Sequence, residues 1–319
     1  MRIAFVGKGG SGKTTLAALF TRHLAATGRP VLAIDADINQ HLGAALALDR
    51  TDPLPLGAEL GWLKEHVRGE NPRIPSASLM IKTSPPGRGS RLLSLAPDDE
   101  VLRRYSVPVP GGGRLMVTGE FDADDIGVSC YHAKTGAVEL YLNHLLDRPD
   151  EYVVVDMTAG ADAFASGLFT RFDLTVLVSE PTGRGIGVYR QYLANAAGHR
   201  LELRVVGNKV VDDADAEYLR EQVGDALIGT VSQSSWVRAA ERGRPEPLDA
   251  LEPGNRAVLD AVLATLDATQ RDWAAYHRGT VEFHLRNARA WANQSLGLDL
   301  ADQVDPEFVP GGSVVGSSS

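Results

Sequence analysis

The segment GKGGSGKTT, residues 7–15, constrains the fold of this chain more than any other stretch. It follows the apolar run RIAFVG (2–7) and precedes a helical pattern from about Lys13 to Thr27, so we predict a strand, a tight loop and a helix. Glycines let such a loop turn its N–H groups inward, and the N-terminus of the helix adds partial positive charge. The G-x-x-x-x-G-K-T spacing in this context predicts a phosphate-binding loop, or P-loop.

The side chains of this loop indicate how a nucleotide would be held. Lys13 can reach the β- and γ-phosphates, and the hydroxyl of Thr14 can ligate Mg²⁺. The other residues expected around the phosphates are Gly9, Gly10, Ser11, Gly12 and Thr15. The loop therefore predicts a protein that binds a nucleotide together with Mg²⁺.

Other short apolar runs predict the remaining strands of an α/β fold. Such runs are typical of parallel strands that helices cover on both faces. The runs are PVLAID (30–35), RLMVTG (114–119), YVVVD (152–156), LTVLVSE (174–180), LELRVVGN (201–208) and ALIGTV (226–231). Further helices are expected over about 136–147 and 185–197. We predict a doubly wound, mostly parallel sheet of about seven strands, as in P-loop NTPases.

Shifts in composition divide the chain into regions. Residues 1–250 form the predicted P-loop domain. Within it, residues 50–113 are rich in Pro and Gly and predict an insertion with little regular structure. Residues 251–298 predict a helical C-terminal extension, and residues 299–319 predict a disordered tail.

The composition argues against several classes of protein. Of the 319 residues, 44% are hydrophobic and 23% are charged, as in a soluble globular protein. A net charge of −9 argues against nucleic acid as a partner, and a single cysteine excludes an intramolecular disulfide framework. The start MRIAFVGKGG lacks the apolar core of a secretory signal, and no run approaches the roughly 20 apolar residues of a membrane span. We expect a cytoplasmic protein without membrane attachment.

The sequence KGGSGKT resembles the deviant P-loop of the MinD, ParA, ArsA and nitrogenase iron-protein class of ATPases. In that class an early lysine, here Lys8, crosses a dimer interface to the partner's nucleotide. The resemblance implies a homodimer that closes around two ATP molecules, with Lys8 acting in trans. A second cation at this place would stabilise the leaving γ-phosphoryl group.

Three strand ends extend the resemblance. Asp37 in AIDADINQHL would position or activate the attacking water, and Asn39 lies in the same switch region. Asp156 in VVVDMTAG takes the Walker B position and would hold Mg²⁺ through water. Asn208 and Lys209 in VVGNKV take the family position that contacts the base, which implies ATP as the nucleotide. A turn-forming asparagine is the alternative interpretation of Asn208.

From residue 1 to about 250 the chain is similar to the CooC-type accessory ATPases of carbon monoxide dehydrogenase, which act in nickel maturation. Those proteins carry Cys-x-Cys where this sequence has Cys130-Tyr131-His132, and two such pairs meet across the dimer axis to hold one metal ion. The resemblance implies a Cys₂His₂ set, which suits Zn²⁺ or Ni²⁺. A small cysteine beside an ordinary polar histidine is the alternative.

Three uses of an ATP-driven cycle compete at this stage. Metallocentre maturation or metal delivery, with a metalloenzyme as the client protein, is supported by Cys130-x-His132. A positioning switch like MinD or ParA would need a membrane helix or a DNA-binding surface, and the sequence shows neither clearly. A nucleotide-dependent regulatory scaffold would need no metal, and the intact catalytic set speaks against it. We expect slow ATP hydrolysis coupled to a change of shape.

Overall fold

A sheet of eight strands forms the centre of the computed structural model. The structure describes residues 1–37, 39–48, 53–119, 131–244 and 246–311. The side chains of residues 131–134 and 161 are not part of this description. The strands within these ranges are β1 (Arg2–Gly7), β2 (Val31–Asp35), β3 (Ser106–Pro108), β4 (Arg114–Val117), β5 (Tyr152–Asp156), β6 (Leu174–Ser179), β7 (Leu203–Val210) and β8 (Leu227–Ser232).

The order of the strands places β1 in the interior of the sheet. The order is β3-β4-β2-β5-β1-β6-β7-β8, and each neighbouring pair is parallel except β3 and β4. Every residue of β1 and of β5 is buried, which explains the apolar run between Arg2 and Gly7 in β1 and before Asp156 in β5. Because β1 lies between β5 and β6, the loop that follows it opens at the middle of the carboxyl edge.

Helices cover both faces of the sheet. The helices in the described ranges are α1 (Lys13–Ala26), α2 (Leu42–Ala45), α3 (Leu60–Arg68), α4 (Glu100–Tyr105), α5 (Tyr131–His144), α6 (Gly183–Asn195), α7 (Asp213–Val223), α8 (Ser235–Glu241), α9 (Pro253–Asp267), α10 (Trp273–Asn287) and α11 (Asn293–Leu296). A π-helical segment (Ala288–Ala292) joins the last two helices. None of these helices is both long and apolar enough to cross a bilayer.

The alternating side chains of β1 divide the core into two layers. Ala4 and Val6 pack with apolar residues of helices α3 to α7, whereas Ile3 and Phe5 pack with those of α1, α8 and α9. Phe5 contacts Phe20 of α1, with ring centroids 5.7 Å apart. Full burial of each such side chain contributes about 1.5–3 kcal/mol. The doubly wound α/β fold predicted from the sequence is confirmed.

The insertion differs from the prediction of little regular structure. It contains α3, a 3₁₀ turn (Ala77–Leu79), α4 and β3. Leu63 and Val67, four residues apart on α3, are both fully buried, so one face of that helix belongs to the core. β3 adds an antiparallel edge strand, where Pro108 costs no ladder hydrogen bond to a further strand. The described sheet therefore has eight strands instead of about seven.

The first part of the predicted disordered tail is ordered. Leu300–Gln303 forms a 3₁₀ turn, and Gln303 donates from Nε2 to the carbonyl of Leu79 at 2.9 Å. Asp305 is 2% exposed and accepts a hydrogen bond from Nε of Arg88 at 2.8 Å. The expected disorder is therefore wrong for residues 299–311, because their polar side chains pair with the insertion. Residues 312–319 lie outside the described ranges.

Candidate nucleotide-binding site

The P-loop lies at the carboxyl end of β1. The N–H of Ser11 donates to the carbonyl of Lys8 at 3.1 Å and closes the turn. Gly10 and Gly12 have φ angles of 76° and 97°, in the left-handed region. A Cβ at residue 12 would lie 2.2 Å from Nδ2 of Asn208, so any other residue would displace that side chain as well as adopt an unfavourable backbone conformation.

Helix α1 begins directly after the loop, with its N-terminus toward the site. Its cap residue is Gly12, its first turn contains no acidic residue, and no side chain in the described ranges caps it. The N–H groups of the first turn therefore offer their partial positive charge to an anion. Gly9 and Gly10 are exposed at the crest of the loop, and Thr15 is half-buried in the first turn. A phosphate group can reach this end of α1 from solvent.

Lys13 is the buried cation of the site, with 8% of its surface exposed. Its ammonium donates to Oδ2 of Asp37 at 2.9 Å and lies 3.7 Å from Oδ1 of Asp156. Burial lowers the pKa of Lys13, but the carboxylates of Asp156 and Asp37 outweigh burial and raise this pKa above its usual value. Burial likewise raises the pKa of Asp37, but Lys13 and the N–H of Asn39 hold it below the usual range. Lys13 and Asp37 are therefore both charged at neutral pH.

Two further carboxyl groups of the site are fully buried. Asp35 and Asp156 are partners in the register of β2 and β5. Burial and the charge of Asp156 raise the pKa of Asp35 to about 7, against two backbone N–H groups that lower it. Burial also raises the pKa of Asp156 to about 6, although Lys13 and Thr14 lower it. The described side chains of the site thus include three buried carboxyl groups, and the ammonium of Lys13 can neutralise only one of them.

The residues predicted to hold Mg²⁺ lie together. Oγ1 of Thr14 donates to Oδ2 of Asp156 at 2.6 Å. Oδ1 of Asp156 is buried and accepts no hydrogen bond from any residue that the structure describes. Hydroxyl and carboxylate oxygens are hard ligands of the kind that Mg²⁺ takes, together with waters and phosphate oxygens. The donor set fits the predicted ion, and the roles of Thr14 as a direct ligand and of Asp156 through water stay predictions.

A second ionic cluster adjoins the loop where β6 and β7 end. Lys8 donates to Oε2 of Glu180 at 2.8 Å, and Lys209 donates to Oε1 of the same carboxylate at 2.7 Å. Lys209 also donates to the carbonyl of Gly10 at 2.7 Å, and Nδ2 of Asn208 donates to the carbonyl of Ser11 at 2.7 Å. Asn208 and Lys209 thus both bind the P-loop backbone here, and their contact with the adenine base stays a prediction.

Sequence reasoning left Glu180 without a role. The residue follows β6 in VSEPTGRG, but the sequence does not reveal that β6 lies directly beside β1. A polar residue at the carboxyl end of a strand was the available signal, and the same signal identified Asp37 and Asp156.

The predicted metal pair falls where the structure gives no side-chain description. Cys130 lies outside the described residues, and His132 lies in the first turn of α5 without a described side chain. Among the side chains that are described, no three from His, Cys, Asp or Glu form a group that could hold a metal ion. The Zn²⁺ or Ni²⁺ site therefore stays a prediction.

Comparison with known proteins identifies the family of the domain that contains this loop. The family model of the CobQ/CobB/MinD/ParA nucleotide binding domain matches residues 3–246 of this chain. The chain belongs to this family. Its P-loop is thus a nucleotide-binding loop, and family membership together with the site supports ATP hydrolysis.

Individual relatives agree with this assignment. The chain is 26% identical to the carbon monoxide dehydrogenase accessory protein CooC of Rhodospirillum rubrum, over 83% of this chain and 96% of that protein. It is 28% identical to an uncharacterized ATP-binding protein of Methanocaldococcus jannaschii, over 78% of this chain and 92% of that protein. Among solved structures, the MinC:MinD cell division protein complex of Aquifex aeolicus matches with a TM-score of 0.54 at 19% identity, covering 85% of this chain and 98% of that chain. The resemblance to MinD, ParA and CooC-type proteins predicted from the sequence is confirmed.

Proposed function

We propose that this protein is a homodimeric, slowly hydrolysing ATPase whose ATP-driven closure serves a client protein in metallocentre maturation. The observation that carries the ATPase part is the group formed by Lys13, Asp37 and Asp156 at the P-loop. There, two carboxylates hold a buried lysine at the place where phosphates would bind. The metal part is supported by the similarity to CooC and by the pattern Cys130-x-His132 in the sequence.

Lys13 would exchange partners when ATP binds. The triphosphate carries more negative charge than the carboxylate of Asp37, so we expect the ammonium to turn toward the β- and γ-phosphates. Asp37, freed of its 2.9 Å hydrogen bond, could then accept a hydrogen bond from the attacking water. Asn39 donates to Oδ1 of Asp37 from its backbone at 3.1 Å and from its side chain at 2.9 Å, which fixes the orientation of that carboxylate. Phosphate binding and water positioning are coupled through one lysine.

Thr14 and Asp156 would hold the Mg²⁺ that accompanies ATP. Such an ion offsets the negative charge of the phosphates. A cation beside a buried carboxyl lowers its pKa, so we expect Asp156 to be fully ionised in the ATP complex at neutral pH. Oδ1 of Asp156, which accepts no hydrogen bond from the described residues, is an atom available for a bound water.

Lys8 would act on the nucleotide of a second copy. Its side chain is 35% exposed at the rim of the P-loop, where a second chain can approach it. A cation supplied in trans stabilises the charge of the transferring phosphoryl group. Two copies facing each other through their P-loops would each complete the site of the other.

The variant Lys8→Ala tests this arrangement. We expect it to bind ATP like the parent, because Lys13 and the loop backbone remain. It should lose ATP-dependent dimerisation. Its hydrolysis rate should fall by roughly 10³-fold, which is the size of effect expected when a cation supplied in trans is removed. Sedimentation with a non-hydrolysable ATP analogue and phosphate release measure the two effects. Lys64→Ala, on α3 outside the site, serves as the matched control. If Lys8→Ala dimerises like the parent, the role in trans is excluded.

The metal part is tested by metal content per dimer. One chain supplies two ligands, so a closed tetrahedral site needs the same pair from a second copy. We expect about one Zn²⁺ or Ni²⁺ per dimer in anaerobically purified protein, bound more tightly with the ATP analogue than with ADP and lost in Cys130→Ser. Protein that binds no metal in either nucleotide state would contradict metal delivery. A MinD/ParA-like positioning switch or a regulatory scaffold would then be the better description of the same ATPase.

A further inference from the structure

Glu180 joins the two lysines that flank the P-loop. Its Oε2 accepts a hydrogen bond from Lys8 at 2.8 Å, and its Oε1 accepts one from Lys209 at 2.7 Å. The side chain of Glu180 is 17% exposed, so water screens these pairs less than it screens a fully exposed pair. Hydrogen bonds from Lys209 and Lys8 hold the pKa of Glu180 below its usual range. At neutral pH the acceptor is therefore fully ionised.

The backbone at Lys209 indicates that this arrangement is built into the fold. Lys209 has a φ angle of 60°, in the left-handed region that residues with a Cβ rarely adopt. The register of β7 against β8 shifts at the same place, between Asn208 and Val210. The ammonium of Lys209 also donates to the carbonyl of Gly10 at 2.7 Å. The irregular end of β7 thus directs Lys209 to both the P-loop and Glu180.

We propose that Glu180 is a positioning residue that holds Lys8 on its own chain until ATP-driven closure transfers Lys8 to the partner's nucleotide. This inference rests on the proposed role of Lys8 in trans. Because Nζ of Lys8 is bound within its own chain, it has to leave Glu180 before it can reach a second copy. Lys209 remains with Glu180 after that release, so the carboxylate is not left without a cation. The contact is therefore a reversible latch that opposes closure.

The cost of opening the latch is modest. Each Lys8 gives up one partly exposed ion pair, which corresponds to a factor of about two to five in an equilibrium constant. A symmetric dimer releases two lysines, so removal of both latches should tighten the dimer by about 4- to 25-fold. An effect of this size can be measured with purified protein.

The variant Glu180→Gln keeps the shape of the side chain and removes its charge. We expect analytical ultracentrifugation with a non-hydrolysable ATP analogue to show the tighter dimer. An amine-acylating reagent followed by mass spectrometry should modify Lys8 faster in the variant without nucleotide. Glu180→Asp, which retains the charge, should restore most of the parent behaviour in both measurements. Glu217→Gln, which loses an exposed pair with Arg220 on α7, is the matched control and should change neither.

The variant Lys8→Ala separates the latch from a structural role of Glu180. If Glu180 acts through Lys8, then the double variant Lys8→Ala/Glu180→Gln should lack ATP-dependent dimerisation just as Lys8→Ala does. Dimerisation that Glu180→Gln restores without Lys8 would overturn the latch, because the effect would then pass through Lys209 or the loop. A dimer affinity in Glu180→Gln that is equal to or weaker than the parent's would overturn it as well.

Failure of the proposed function gives a different result. In that case the parent itself does not dimerise with the ATP analogue, or Lys8→Ala dimerises as the parent does. Labelling of Lys8 then decides the remaining question of whether Glu180 positions this lysine. Faster labelling in Glu180→Gln supports the positioning role, and equal labelling in parent and variant overturns it.

Discussion

Both ends of the central sheet bury charged side chains. The two ends differ in how fully the buried carboxylates are paired with cations. At the amino end, Asp147 accepts hydrogen bonds from Nε of Arg2 at 2.8 Å and from Nη1 of Arg271. Asp173 accepts from the backbone N–H of Arg2 at 2.7 Å and from the hydroxyl of Tyr276 at 2.8 Å. Burial raises the pKa of each acid, but the neighbouring arginines and hydrogen-bond donors outweigh burial and hold both pKa values below the usual range.

The carboxyl end leaves its acids short of positive charge. Asp35, Asp37 and Asp156 share the single buried ammonium of Lys13. Burial, and for Asp35 also the charge of Asp156, raises the pKa of Asp35 to about 7 and that of Asp156 to about 6, and Lys13 does not offset this.

The difference separates a structural role from a functional one. The charges at the amino end tie Arg271, in the C-terminal extension, to the sheet, so they stabilise the fold. Those at the carboxyl end carry an electrostatic cost that a bound cation and nucleotide can relieve, which is typical of a functional site.

The largest effect that tests this comparison is expected at the amino end. Asp147→Asn keeps the size of the side chain but leaves Arg2 and Arg271 with one buried anion fewer. Breaking a buried pair in this way costs about 3–5 kcal/mol of the free energy of unfolding at pH 7. Because the folded-state pKa of Asp147 lies below its unfolded value, the stabilisation is fully present above about pH 4 and decreases progressively as pH falls toward the folded-state pKa. Urea denaturation at pH 7 and at pH 3.5 measures the loss and its decrease in acid.

Two controls sharpen that experiment. Glu282→Gln removes an exposed i,i+4 pair with Arg286 on α10 and should cost less than about 1 kcal/mol. Affinity for the ATP analogue should be the same in the parent and in Asp147→Asn at temperatures where both are folded. A cost near that of Glu282→Gln would mean that the amino end is no better paired than the protein surface.

The sequence predicted the fold best where the signal is local. The P-loop, the strand ends that carry Asp37 and Asp156, and the parallel sheet all follow from short apolar runs and glycine spacing. The Pro- and Gly-rich insertion concealed β3, because that strand has only three residues and ends in Pro108. It concealed α3 because the buried face of that helix packs against distant parts of the chain. The ordered part of the tail was missed for the same reason, since its partners lie in the insertion more than 200 residues away.

Contacts between distant segments limited the prediction of the site in the same way. Glu180 meets Lys8 across 172 residues, and Arg2 meets Asp147 across 145 residues. Each contact depends on which strands are neighbours, and apolar patterning does not determine strand order. The raised pKa of Asp35 is likewise a product of burial beside Asp156, which no local pattern encodes.

An effect of opposite sign is expected at the carboxyl end. The folded-state pKa of Asp35, about 7, lies above its unfolded value, so between pH 4 and 7 the folded protein holds a proton that the unfolded chain has lost. In this window the group destabilises the parent by up to about 1.4 kcal/mol for each unit by which pH rises. Asp35→Asn removes that titration, although its amide can accept only one of the hydrogen bonds that Asp35 takes from the N–H groups of Asp37 and Leu42.

The free energy of unfolding of Asp35→Asn should therefore improve relative to the parent as pH rises from 4.5 to 7, whatever the constant cost of the lost hydrogen bond. Urea denaturation at four pH values across this range gives the slope. For Asp225→Asn, at an exposed position, the free energy of unfolding should change with pH in parallel with that of the parent. If Asp35→Asn also runs parallel, then Asp35 is ionised in the folded state throughout this range. The buried carboxyl group of Asp35 would in that case stay ionised in the folded protein, as those at the amino end do.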